Sequence, residues 1–78
     1  MYLIINLINL NKIFISSDHA GFKLKQSIIK YLSNNNMNFQ DLGPHNKSRV
    51  DYPDYAHKVA KKVKINKNNM GILICGSG

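Results

Sequence analysis

The order of apolar and polar residues predicts an alternation of strands and helices, beginning with a strand. Residues 12–16 form a short run rich in β-branched and aromatic side chains that ends in polar residues, which is typical of a strand. Between Phe22 and about Ser33 the apolar residues recur at helical spacing and predict one buried face. That predicted face consists of Leu24, Ile28, Tyr31 and Leu32. Asn34-Asn35-Asn36 then predicts the end of the helix, because asparagine favours turns and tolerates left-handed dihedral angles.

The second half of the chain repeats the alternation. Residues 38–42 predict a brief strand that ends at Gly43-Pro44. Pro53 suits the first turn of a helix, where its missing N–H does no harm. The predicted buried stripe of that helix consists of Ala56, Val59, Ala60 and Val63. Residues 70–75 form a nearly continuous apolar run, which predicts a strand buried on both faces.

These elements predict an α/β fold, a three-layer Rossmann-like β-α-β-α-β unit with a parallel sheet. Right-handed crossovers place the first strand between the second and the third. Ligands of such sheets bind beyond the carboxyl ends of the strands, where the strand order reverses. Two polar segments fall there, residues 16–19 after the first strand and residues 75–78 after the third.

Length and cysteine content restrict the class of protein. Seventy-eight residues allow one small domain with a marginal core. The single cysteine cannot form an internal disulfide, which suits a reducing, cytoplasmic setting. The three histidines, His19, His45 and His57, lack the spacing of zinc ligands, so no structural metal is expected. Because so small a core stabilises the fold only weakly, contacts with partner subunits would add stability, and we expect a homo-oligomer.

The basic charge is the feature that could indicate nucleic acid. The net charge of +7 comes from ten lysines and one arginine against four aspartates. The lysines are spread over two helical stretches. Arginine, the residue type that contacts bases most often, occurs only once, at Arg49. This scatter favours a solvated basic surface, and we predict no nucleic-acid partner. Residues 1–10 are apolar but too short to span a bilayer, and they lack the basic region of a signal peptide. They predict an N-terminal extension and no membrane partner.

Asp18 and His19 are the first candidates for chemistry. An aspartate beside a histidine at a strand end can hold a sugar hydroxyl and meet an anion, and histidine exchanges protons near neutral pH. The alternative is that Asp18 caps the following helix and that His19 is a surface residue.

Cys75 is the second candidate, because a thiolate at a strand end could act as a base. The alternative is a buried, inert cysteine that completes a core strand. The following Gly76-Ser77-Gly78 favours the first interpretation, since glycines let backbone N–H groups converge on an anion and the Ser77 hydroxyl can relay a proton. Tyr52 borders the predicted cleft or serves only as a structural residue at a helix start.

Four blocks of the sequence together resemble the ribose-5-phosphate isomerase B family, which includes the galactose-6-phosphate isomerase subunits. The matching blocks are Ser17-Asp18-His19-Ala20-Gly21-Phe22-Lys23-Leu24-Lys25, Asp41-Leu42-Gly43, Asp51-Tyr52-Pro53-Asp54-Tyr55-Ala56 and Gly71-Ile72-Leu73-Ile74-Cys75-Gly76-Ser77-Gly78. The resemblance runs from about residue 12 to residue 78 and covers the first half of a family member. It divides the chain into an extension, residues 1–11, and a partial isomerase domain, residues 12–78.

The resemblance implies an aldose–ketose isomerase of sugar phosphates that needs neither metal nor cofactor. Cys75 would be the base that forms an enediolate, and Ser77 would move the hydroxyl proton. Gly76 and Gly78 would begin the anion hole for that intermediate. Asp18 would hold the sugar, His19 would help to bind the phosphate, and Tyr52 would line the cleft.

The resemblance also implies that this chain is a truncated half of a larger doubly wound domain. In the family a catalytic histidine and phosphate-binding arginines come later, and a neighbouring subunit of a dimer contributes part of the site. The leading hypothesis is therefore a sugar-phosphate isomerase of the ribose 5-phosphate type. The alternatives are a galactose-6-phosphate isomerase-type subunit and a catalytically inactive, degenerate fragment.

Overall fold

The computed structural model describes residues 10–45 and 52–76, with side chains from residue 55 onward in the second range. Five elements alternate along the chain. They are strand β1 (Lys12–Ser17), helix α1 (Phe22–Asn34), strand β2 (Phe39–Asp41), helix α2 (Tyr52–Val63) and strand β3 (Asn69–Ile74). The predicted type and order of every element are thus confirmed, with bounds that differ by one or two residues.

The three strands form one parallel sheet in the order β2-β1-β3. In β1, Ile13 pairs with Phe39 of β2 on one side and with Met70 of β3 on the other. The central position of β1 and the parallel pairing are confirmed. Because the β1-α1-β2 and β2-α2-β3 crossovers run in opposite directions across the sheet, their right-handedness places α1 and α2 on opposite faces. Ile13 and Ile15 of β1 are accordingly buried in the centre of the core.

Helix α1 is rotated relative to the face that the sequence pattern predicts. Leu32 is buried as expected, but Leu24 is 57% exposed and Tyr31 is 40% exposed. Lys25 takes the inner position instead, with 0% of its surface exposed. Its ammonium group forms an ion pair with Asp41, and that pairing offsets the cost of burying the charge. The prediction for Leu24 and Tyr31 was therefore wrong, because hydrophobic spacing takes no account of a lysine with a buried partner.

The end of α1 follows the predicted asparagine run. Asn36 has φ of +56°, a left-handed conformation that asparagine adopts more readily than most residues. The N–H of Asn36 donates to the carbonyl of Ser33 at 3.1 Å, and the N–H of Met37 donates to that of Leu32 at 3.0 Å. These are the two hydrogen bonds of a Schellman motif, which satisfies the last carbonyls of a helix.

Strand β3 is not buried on both faces, contrary to the prediction. Met70 is 39% exposed and Leu73 is 42% exposed. Within the residues that the structure describes, β3 pairs with β1 alone and so lies at an edge of the sheet. On α2, Val59 is buried as expected, whereas Ala60 is exposed beside this edge. The apolar run had indicated a strand buried on both faces, and the difference arises because no described strand pairs with the outer side of β3.

Candidate active site at the carboxyl ends of the strands

The polar segments after β1 and β3 lie next to each other. Ser17, the last residue of β1, pairs with Ile74, the last residue of β3. The backbone N–H of Asp18 then donates to the carbonyl of Ile74 at 3.1 Å. Since both strands run in the same direction, Asp18 and Cys75 leave the sheet side by side. The predicted meeting of the two segments is confirmed.

The Asp18 carboxylate connects the two loops directly. Its Oδ1 accepts hydrogen bonds from the N–H of Gly21 at 2.7 Å and from the N–H of Gly76 at 3.1 Å. Its Oδ2 lies 3.2 Å from the same nitrogen of Gly76. The residue is only 3% exposed. Asp18 therefore holds the backbone just after Cys75 in a defined position relative to the start of α1.

The helix-cap interpretation of Asp18 does not hold in its simple form. The N-cap residue of α1 is Gly21, and no side chain caps the helix. Asp18 instead bonds the N–H of that cap residue from three positions upstream. The sugar-binding role of Asp18 stays a prediction.

Glycine is required at two points where the loops touch. A Cβ atom on Gly76 would lie 2.7 Å from the carbonyl carbon of Ala20 and 2.8 Å from its Cβ. A Cβ atom on Gly21 would lie 2.8 Å from Cγ2 of Ile74. Both distances are shorter than real carbon contacts, so any side chain would push the loops apart. The first glycine after Cys75 thus serves close packing, and its N–H donates to Asp18; an anion-binding role of Gly76 stays a prediction.

Cys75 is a free thiol that is exposed to solvent. It follows directly after β3, at the edge where ligands of parallel sheets bind. The alternative of a buried cysteine that completes the core is therefore wrong. An exposed thiol at this edge is accessible to a small molecule.

His19 is exposed on the loop between β1 and α1. Its backbone carbonyl accepts a hydrogen bond from the N–H of Phe22 at 3.4 Å, and its exposure makes the side chain accessible from solvent. Three other predicted site residues cannot be located in the same way. Tyr52 begins α2, but its side chain lies outside the described residues, as do Ser77 and Gly78.

The sequence pattern missed an ion pair that supports this end of the sheet. The Lys25 ammonium donates to both oxygens of Asp41 at 2.9 Å and to Oε1 of Gln26 at 3.0 Å. It also lies 5.2 Å from the ring centre of Phe22, close enough for a cation–π contact. Both Lys25 and Asp41 belong to blocks that carry the family resemblance. That membership was the one feature of the sequence that could have indicated a structural role for the pair.

The same ion pair fixes the turn after β2. Oδ1 of Asp41 accepts from the N–H of Gly43 at 2.8 Å. Gly43 has φ of +106°, which favours glycine, and its carbonyl accepts from the Ser16 hydroxyl at 2.6 Å. A Cβ atom there would lie 2.7 Å from the Tyr55 ring. The carboxyl ends of β1 and β2 are thus joined by hydrogen bonds.

Among residues 10–45 and 52–76, no group of three histidine, cysteine, aspartate or glutamate side chains could hold a metal ion. No helix in that part of the chain is long and apolar enough to cross a membrane.

Comparison with known proteins identifies relatives of the chain. A family model described as Ribose/Galactose Isomerase matches residues 13–78. The probable ribose-5-phosphate isomerase B of Mycoplasma pneumoniae is 46% identical over 67 residues, which cover 85% of this chain and 44% of the relative. The ribose-5-phosphate isomerase B of Escherichia coli is 41% identical over 69 residues, covering 88% and 46%.

Solved structures agree with these matches. The ribose 5-phosphate isomerase of Thermotoga maritima superposes with a TM-score of 0.80 at 45% identity, over 86% of this chain and 46% of that one. The Mycoplasma genitalium ribose-5-phosphate isomerase B with bound ribulose-5-phosphate gives a TM-score of 0.78 at 49% identity, over 86% and 45%. The chain therefore spans slightly less than half the length of the relatives that it matches.

Proposed function

Because the chain belongs to the ribose/galactose isomerase family, we propose that it supplies one half of the active site of a sugar-phosphate isomerase. The proposed reaction is the interconversion of ribose 5-phosphate and ribulose 5-phosphate. The observation that carries the proposal is the exposed Cys75 thiol, which leaves β3 beside the Asp18-His19 segment at the end of β1. Relatives named ribose-5-phosphate isomerase B favour this substrate over galactose 6-phosphate.

In the proposed mechanism the Cys75 thiolate removes the proton from the carbon next to the aldehyde. The electron pair forms an enediolate, and the same proton returns to the former aldehyde carbon to give the ketose. The hydroxyl proton moves between the two oxygens, and Ser77 is the proposed carrier. Atoms and charge balance within the sugar, so the reaction requires no external oxidant or reductant.

The other site residues bind and position the substrate in this proposal. His19 helps to bind the phosphate, Tyr52 lines the cleft, and Gly76 and Gly78 belong to the loop that stabilises the enediolate. Asp18 holds a sugar hydroxyl while it keeps Gly76 in place. Its hydrogen bonds to the two loops support the positioning part of that role.

The proposed site requires groups from outside residues 12–78. The chain covers 44–46% of its relatives, so the remaining site residues come from the second half of such a domain or from another subunit of a homo-oligomer. The same coverage favours the second candidate, a chain without turnover of its own. We further propose that residues 1–11 are an extension, since the family match begins at residue 13, and that the chain is cytoplasmic, which its free thiol favours.

The test is conversion of ribose 5-phosphate by the purified chain, with Cys75→Ala and Ser33→Ala assayed alongside. Loss of a general base lowers turnover by roughly 10²–10⁴-fold. We therefore expect turnover of Cys75→Ala to fall by roughly 10²-fold or more. Ser33 is exposed at the far end of α1, so Ser33→Ala should retain the wild-type rate. Equal turnover in Cys75→Ala and the wild type would refute the assignment of the base. Absence of turnover in all three proteins would favour the inactive fragment.

A further inference from the structure

The outer edge of β3 and the adjacent face of α2 form an unfilled apolar surface. Between α2 and β3 lies an open groove of about 450 Å³. Apart from Lys64 at its rim, the residues that line it are apolar: Ala56, Val59, Ala60, Val63, Gly71 and Leu73. We call this surface the α2–β3 groove. Leu73 is 42% exposed within it, although its strand has the composition of a buried one.

The sheet beside the groove is also open. In the described part of the chain, β3 pairs only with β1, so its other edge offers six residues of backbone to a further strand. An open edge of this length with apolar side chains is a template for strand pairing. The groove and the edge are contiguous, since Gly71 and Leu73 belong to both.

The topology of the sheet determines what kind of segment would fill the α2–β3 groove and pair with the free edge of β3. The β2-α2-β3 crossover moves across the sheet past β1, and its helix lies on one face. A further parallel strand beyond β3 would continue in the same direction. The right-handed rule then places its crossover helix on the α2 face, directly beside α2. That position is the α2–β3 groove.

We propose that the α2–β3 groove and the free edge of β3 bind a helix–strand unit from the second half of an isomerase domain of this family. The relatives supply the reason for this occupant: they superpose on the chain with TM-scores near 0.8, yet more than half of their length lies outside the match. The small side chains of Ala56 and Ala60 let a helix approach α2 closely. The proposal concerns docking and does not depend on catalysis by this chain.

The first test mixes this chain with the part of Mycoplasma genitalium ribose-5-phosphate isomerase B that follows its matched segment. We expect a 1:1 complex by size-exclusion chromatography with light scattering. Ala60→Glu places a carboxylate in the groove and should weaken binding roughly tenfold or more, because burial of an unpaired charge is costly. Ser33→Glu makes the same charge change on α1 and should bind like the wild type.

Two outcomes of the mixing experiment would overturn the proposal. One is equal affinity of Ala60→Glu and the wild type. The other is a homodimer of the isolated chain that Ala60→Glu disrupts, since a second copy would then occupy the groove. Circular dichroism of the unbound variants checks that Ala60→Glu keeps the helix content of the wild type.

A second measurement does not require the two halves to fold separately. The same Mycoplasma segment is joined to Gly78, and Ala60→Cys is introduced with Cys75→Ala so that one thiol is present. We expect that thiol to react with a soluble reagent roughly tenfold more slowly than in the 78-residue chain, because a packed side chain reacts only after local opening. Lys61→Cys, on the exposed side of α2, should react equally fast in both. Equal rates for Ala60→Cys in both proteins would contradict the proposal.

Discussion

At the scale of single residues, two charged side chains, those of Asp18 and Lys25, hold parts of the fold together from buried positions, although charged residues usually lie at the surface. Asp18 joins the loop after β1 to the loop after β3 through Gly21 and Gly76. Lys25 lies fully inside the molecule and holds Asp41. The first was predicted as a site residue from the family resemblance, and the second was expected on the solvated basic surface. Both contacts tie an element to a strand end, which is where the candidate site lies.

Removal of the Lys25 charge should unfold much of the chain. Lys25→Met keeps the length of the side chain but removes the ammonium that binds Asp41 at 2.9 Å, and breaking a pair whose lysine is fully buried costs about 3 kcal/mol. A core of this size contributes roughly 3–5 kcal/mol in total. We therefore expect Lys25→Met to lose most of its helical ellipticity at 25 °C. Lys23→Met, an exposed lysine two positions earlier, should keep the wild-type signal. Equal spectra for the two variants would show that the ion pair contributes little.

At the scale of elements, the strands and helices differ in how far their burial could be predicted. The spacing of apolar residues correctly indicates where α1 and α2 lie, but α1 turns Lys25 inward and Leu24 outward. In β3 the alternate residues Gly71 and Leu73 face α2. Gly71 is the point of closest approach, since a Cβ there would lie 2.7 Å from Cγ1 of Val59 and 3.0 Å from Cγ2 of Val63.

Substitution of Gly71 should loosen the packing of α2 on the sheet. Gly71→Val introduces three carbon atoms where valine side chains already lie, and overpacking costs roughly 1–3 kcal/mol. We expect amide hydrogen exchange in α2 to become about tenfold faster or more, as measured by NMR, because local opening is that much less costly. Met70→Val places the same side chain one position earlier, on a partly exposed residue, and should leave the exchange rates of α2 nearly unchanged. Unchanged rates in Gly71→Val would mean that α2 can shift without cost.

At the scale of the whole molecule, the core is small for a sheet with helices on both faces. The apolar residues that are buried, among those the structure describes, are Ile13, Phe14, Ile15, Leu32 and Val59. Three of them belong to β1, so the core is centred on one strand. Along the α2–β3 groove, one face of α2 and the outer edge of β3 are exposed to water. A segment packed into that groove would bury these apolar side chains and so enlarge the hydrophobic core.

The isolated chain should therefore unfold without a sharp cooperative transition. We expect far-ultraviolet circular dichroism to change gradually with temperature, since few buried side chains couple the elements. A cooperative domain shows an unfolding enthalpy of about 0.7 kcal/mol per residue near 60 °C. Calorimetry that finds a narrow peak with this enthalpy would contradict the expectation. Addition of the complementary half should convert the gradual change into one transition.

The prediction of the fold from sequence succeeded where information is local. Gly43 and Asn36 occupy positions with positive φ, and both were predicted as residues at the end of an element. The placement of Asp18 and Cys75 at strand ends followed from the run of elements alone. The ion pair of Lys25 with Asp41 was not predictable in this way, because its partners are 16 residues apart and lie on different elements.

The sequence by itself determined the order of elements, the parallel sheet and the family, since these depend on apolar spacing, turn residues and four ordered blocks. Only the tertiary structure decided that Cys75 is exposed, that Lys25 is buried and that β3 is the edge strand among the described residues. The physical reason is that burial belongs to a residue together with its neighbours. An apolar run specifies a preference for the interior, but the elements that pack around it decide how much of that preference is met.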